Sequence, residues 1–151
     1  MNWNQSKSVI LSKVCVILFA LLLLVIDICA YWLVEYYLSV SNALGGVGDG
    51  ILLMVVTYGS SIPAWITLWS LWRILDRIWK GEIYVPGNVR DMRRTSWCCM
   101  IVALICFVTG FFYGVLFVIA AAAGFMGLIV RIVKNMLEQA VSMKDELDFT
   151  I

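Results

Sequence analysis

Asp27 stands inside the run Val9 to Val34, "VILSKVCVILFALLLLVIDICAYWLV", where nearly every neighbour is apolar. It lies about seven residues, roughly 10 Å at 1.5 Å per residue, from the far end of that run. A carboxylate at such a depth in hydrocarbon costs a few kcal/mol unless it is paired or protonated, so it must turn toward other protein. Counting the same depth along the later apolar runs reaches Tyr58 and Ser61 in the second and Thr109 in the third. A polar cluster of Asp27, Tyr58, Ser61 and Thr109 can therefore hold a small ligand or a cation. It can equally be one interhelical hydrogen bond, Asp27 to Tyr58, that fixes packing. A second irregularity is "SSIP", Ser60 to Pro63. Pro63 removes a backbone donor and frees the carbonyl of Gly59, which predicts a helix kink with Ser60 or a water at that carbonyl.

Other chemistry is scarce. The chain has no histidine, which removes Ser-His-Asp and Cys-His catalysis, histidine-ligated haem and most zinc sites. The five cysteines, Cys15, Cys29, Cys98, Cys99 and Cys106, lie in or beside apolar runs without a Cys-x-x-Cys spacing. They read as small packing residues. No catalytic residue, metal ligand or cofactor is expected, and no enzymatic activity.

The elements that position these residues follow from composition. Hydrophobic residues make up 63% of the chain and charged residues 14%, the balance of a membrane protein. Bilayer-crossing helices need about 20 apolar residues. Four such spans are predicted, over approximately 9–34, 51–75, 95–113 and 115–136, with a turn at Gly110 to Gly114. Backbone groups in lipid must be satisfied within the segment, so these runs are helices. The predicted fold is all-α: one integral membrane four-helix bundle over 1–151, with a connecting loop at 76–94. The first span reads as retained, because its apolar run is too long for a cleaved signal.

All eleven Lys and Arg residues fall at one end of the predicted spans: Lys7, Lys13, Arg73, Arg77, Lys80, Arg90, Arg93, Arg94, Arg131, Lys134 and Lys144. The positive-inside rule places that end in the cytoplasm, with both termini on the same side. Beyond 136 the pattern Leu137, Ala140, Val141, Leu147 keeps helical spacing. The fourth helix is therefore expected to continue over 137–151 as an amphipathic cytoplasmic extension. "AAAAG" from Ala120 and then Gly127 permit close helix approach, inside the bundle or in a homodimer.

The stretch "KGEIYVPGNVRDMRR", Lys80 to Arg94, is basic but interrupted by Glu82 and Asp91. That argues against direct nucleic-acid binding and leaves a lipid-headgroup anchor or a protein-docking surface. Gly81 is expected to end the second helix, Ile83 to Val85 to run extended, and Asn88 to cap the third helix. The tail's apolar stripe is expected to pack on Ile83, Tyr84 and Val85.

Two stretches resemble those of a known family. "GEIYVPGNVRDMR" follows the pattern Gly-x-(Ile/Val)-(Phe/Tyr), three residues, Asn-Val, two residues, (Leu/Met)-Arg; Gly81, Tyr84, Asn88, Val89 and Arg93 match it. In the closing segment Asn135, Glu138, Gln139, Ala140, Lys144, Asp148, Thr150 and Ile151 match, while Gly87, Leu147 and Phe149 depart from the usual residues. Both patterns are those of the YoaS-like family of small bacterial four-helix membrane proteins of unknown function. The resemblance implies residence in the bacterial cytoplasmic membrane. It also implies a neighbouring gene for a Cro-like helix-turn-helix regulator, and hence a membrane anchor or sensor for that regulator. Gly81, Ile83, Tyr84, Asn88, Val89, Arg93, Glu138, Gln139, Asp148, Thr150 and Ile151 are then the candidate docking residues. The competing readings are small-molecule or ion binding or transport, and self-immunity against a membrane-active peptide.

Overall fold

The computed structural model describes the backbone of residues 3–41 and 47–150 and the side chains of 7–40 and 50–150. Ile151, a candidate docking residue, lies outside the described residues. Four helices account for almost all of the described chain: α1 (Trp3–Ser41), α2 (Val47–Trp79), α3 (Pro86–Gly110) and α4 (Val115–Phe149). Each is long and apolar enough to cross a membrane. Leu18, Phe19, Ile28 and Trp32 on α1 are among the many large apolar side chains left exposed. An apolar surface of this extent is unfavourable in water and natural in lipid.

The helices pack in chain order, α1 on α2, α2 on α3 and α3 on α4, with the last pair in most extensive contact. Small residues explain that pair. A Cβ added at Gly127 would come within 3.2 Å of Cys99 Cβ, and one at Gly124 within 3.7 Å of Ala103 Cβ. The buried hydroxyl of Ser96 donates to the Gly127 carbonyl across 3.0 Å. Within lipid, such close approach and interhelical hydrogen bonds replace the hydrophobic effect as the source of helix association. The small-residue run of α4 is thus used inside the bundle.

Within the 76–94 connection, helix occupies most of the residues, as the expected stop at Gly81 and the early start of the third helix require. The non-helical part is Lys80 to Val85. Gly81, at φ +82°, lets its N–H reach the Ile78 carbonyl (3.0 Å) while the Glu82 N–H reaches Arg77 (2.9 Å), the Schellman closure that a left-handed residue permits. Val85 is extended (φ −126°, ψ 142°) and Pro86 opens α3, as expected of a residue before proline and of proline in a first turn. At the opposite end Gly110 closes α3 and Val115 opens α4, so the expected turn is present.

Pro63 lies within α2, which continues as helix on both sides. Ser60 Oγ donates to the Thr57 carbonyl at 3.0 Å, not to the carbonyl of Gly59. α4 is one helix of 35 residues, about 52 Å long at 1.5 Å per residue. That exceeds a hydrocarbon core of about 30 Å.

Candidate functional site

Two polar constellations stand out, one within the helices and one at the basic end. In the first, Asp27 on α1 faces α2. Its Oδ2 accepts from Ser61 Oγ at 2.8 Å and from Trp65 Nε1 at 3.0 Å. Tyr58 comes to the same place but donates to the Asp27 backbone carbonyl at 3.2 Å, not to the carboxylate as expected. Tyr58, Ser61 and Trp65 fall three and four residues apart, which puts them on one face of α2. The other carboxylate oxygen, Oδ1, is buried and has no hydrogen-bond partner among the described residues.

Thr109 takes no part in this group: its hydroxyl donates to Ile105 and Cys106 carbonyls of its own helix (2.7 and 3.4 Å). The reason lies in the packing order, since α1 meets α2 and not α3. Equal depth in a membrane does not by itself bring two residues together. Trp65, which the sequence analysis did not single out, was accessible as an indole donor one helical turn after Ser61.

The second constellation lies where α1 and α3 begin and α2 and α4 end. Arg77 Nη1 donates to Asp91 Oδ2 at 2.7 Å and to Asn88 Oδ1 at 3.1 Å. The Asp91 side chain is 2% exposed and that of Arg77 20%. Arg73 and Arg94 lie 3.7 Å from the two Asp91 oxygens, so one buried carboxylate gathers three guanidinium groups. Asn88 uses its amide nitrogen on the Glu82 and Ile83 carbonyls (3.1 and 2.9 Å). It therefore clamps the connecting turn to α3 from inside the helix. The expected N-terminal cap at Asn88 is corrected here: Val85 precedes the helix and makes no side-chain cap.

Gly87 belongs to the same arrangement. A Cβ there would lie 3.0 Å from Arg77 Cζ, so the glycine leaves room for the guanidinium. In the sequence Asp91 is one acid within a basic stretch, and nothing local pairs it with Arg77. An isolated carboxylate flanked by Arg90, Arg93 and Arg94 was the available signal.

This clamp leaves Ile83 and Tyr84 at the surface, 43% and 49% exposed. Val85, the third residue on which the tail was expected to pack, is half-buried. α4 meets the start of α3: Val89 and Val141 are buried, and Arg93 pairs with Glu138 at 3.3 Å. A cavity of about 230 Å³ opens between Pro86, Val89, Arg90, Arg93, Glu138 and Val141. Gln139, Asp148 and Thr150 are exposed; the Thr150 hydroxyl bonds within its own helix end. α1 is fastened at this end by Lys13, 3.3 Å from Asp76 and over the rings of Trp72 and Trp79 (5.4 and 5.7 Å to centroids). Asp76 also accepts from Lys80 at 2.9 Å, which raises the Lys80 ammonium above the ordinary lysine value.

Four apolar helices with their cations at one end define a multi-pass helical membrane protein. The model for a family described as protein of unknown function, DUF2975, matches residues 37–151, and the chain belongs to that family. The match takes in α2, the clamped turn, α3 and α4, and begins beyond Asp27. The family description carries neither the YoaS-like designation nor a neighbouring regulator. No curated protein and no solved structure matches the chain.

Proposed function

We propose that this protein is a non-enzymatic membrane anchor whose basic end faces the bacterial cytoplasm and docks a small helix-turn-helix regulator. The orientation rests on the positive-inside rule applied to the eleven Lys and Arg residues. The observation that carries the docking reading is the fixed exposure of Ile83 and Tyr84 beside the buried Arg77–Asn88–Asp91 clamp. A plain helix hairpin does not require a buried ion pair, whose desolvation is costly. Such a clamp is useful where a turn must present its side chains in one geometry, since rigid presentation lowers the entropic cost of binding. Glu138, which lines the cavity beside Pro86 and Val89, and the exposed Gln139, Asp148 and Thr150 of α4 are the further docking residues of this reading.

This reading requires a small helix-turn-helix regulator encoded beside this gene, and the test is co-purification of that regulator. The wild type should retain it, and the Ile83→Ser, Tyr84→Ser double variant and a chain truncated after Lys144 should lose it. Equal recovery from all three removes the docking role.

A second reading, cation or small-molecule binding at Asp27, is favoured by the buried Oδ1 without a partner. A carboxylate oxygen removed from both water and donors has capacity for one more donor or a cation. An Asp27→Asn variant that folds but loses response to an external ligand supports that reading; an unchanged response reduces Asp27 to packing.

A further inference from the structure

The α3/α4 seam carries a feature that neither reading uses. At the basic end, a cavity of about 370 Å³ is lined by Arg93, Ser96, Trp97, Met100, Arg131 and Lys134. Three cations converge there against one carboxylate, Glu138, which holds Lys134 at 2.7 Å and Arg93 at 3.3 Å. Arg131 makes no ion pair or hydrogen bond among the described residues, so the cavity keeps an uncompensated positive charge.

Its depth is informative. α4 runs from Val115 to Val130 without a charged residue, about 24 Å at 1.5 Å per residue. Arg131 therefore falls near the edge of a hydrocarbon layer about 30 Å thick, the level of lipid phosphates. Trp97, 63% exposed, stands at the same level, where indoles concentrate. From Met100 the surface continues toward the opposite end as an apolar groove of about 510 Å³, lined by Leu104, Phe107, Phe117 and Ala120 among others. Met100 belongs to both cavities.

We infer that the α3/α4 seam binds one anionic phospholipid: its phosphate lies between Arg93, Arg131 and Lys134, and an acyl chain fills the groove beyond Met100. Charge complementarity selects the headgroup, and the continuous apolar groove selects a lipid over a free phosphate. Basic pockets between membrane helices are suited to such headgroups, each nearby cation contributing about five-fold in affinity.

The experiment is native mass spectrometry of the full chain in detergent, titrated with phosphatidylglycerol or with phosphatidylcholine of the same acyl chains. Phosphatidylglycerol should bind at least about ten-fold more tightly, as two or more cations imply. Arg131→Gln and Lys134→Gln should each weaken it about five-fold and weaken phosphatidylcholine, whose choline offsets the phosphate charge, clearly less. Ala121→Phe, which fills the groove from its open side, should weaken both lipids. Lys144→Gln, a cation removed from the cavity, should change nothing. Equal binding of the two lipids by the wild type overturns the inference, and so does an equal loss with Lys144→Gln, which would mean diffuse surface attraction. Full displacement of phosphatidylglycerol by inorganic phosphate at equal concentration removes the acyl half and the lipid with it. Circular dichroism of each variant confirms the fold, and the wild-type comparison decides the matter without any variant.

Discussion

Arg77 Nη1 sits 2.7 Å from Asp91 Oδ2, joining the last turn of α2 to the second turn of α3 across the connection that holds Ile83 and Tyr84. The carboxylate is almost fully enclosed, so the pair is a buried ion pair supplemented by Asn88. Removing one partner from such a pair strands the other charge, at a cost of about 3–5 kcal/mol.

Arg77→Met or Asp91→Leu alone should therefore lower stability by about 3 kcal/mol or more. The double variant should lose clearly less than the sum, because neither charge is left behind. Thermal unfolding in detergent, followed by far-ultraviolet circular dichroism, measures all three. Additive losses would show that the two charges do not depend on each other.

Gly81→Ala places a Cβ at φ +82° and should cost about 1 kcal/mol through backbone strain, although no atom lies within 4 Å of that Cβ. Gly114→Ala has the same open surroundings but a right-handed backbone, φ −53°, and should be neutral or slightly stabilising. The pair separates strain from crowding in one melting experiment.

At Gly127 the expected effect is crowding. Gly127→Val would push on Cys99 and Met100 and should destabilise by about 1–3 kcal/mol, the usual range for overpacking. Ser96→Ala removes only the hydrogen bond to the Gly127 carbonyl and should cost about 0.6 kcal/mol, the average for interhelical bonds in a membrane. A larger loss for Ser96→Ala than for Gly127→Val would mean that the bond, not close approach, holds α3 to α4.

Asp27→Leu removes the buried oxygen that has no partner along with the two accepted bonds. Removing a buried polar oxygen that has no partner relieves its desolvation cost, so the melting temperature should hold or rise. A fall of several degrees would mark the bonds from Ser61 and Trp65 as structural and count against a site kept for a ligand.

The helix count, the turn at Gly110 to Gly114, the stop at Gly81 and the gathering of cations at one end were all legible along the chain. Each depends on local quantities: the length of an apolar run against the bilayer, the φ freedom of glycine, the position of a charge relative to a span. The companions of a given side chain were not legible in this way. Asp27 was conspicuous as a carboxylate in an apolar run, yet depth alone paired it with Thr109 as readily as with Ser61. The structure chose Ser61 and Trp65 because the α1 backbone packs closely on α2 and not on α3. Likewise Asp91 looked like one more solvated acid until the end of α2 laid Arg77 against it. Depth along each helix is set by its own hydropathy. Neighbour order, and rotation by about 100° per residue about the axis, are set by packing among small residues of different helices. That packing belongs to the assembled bundle, and it made a clamp of Arg77, Asn88 and Asp91.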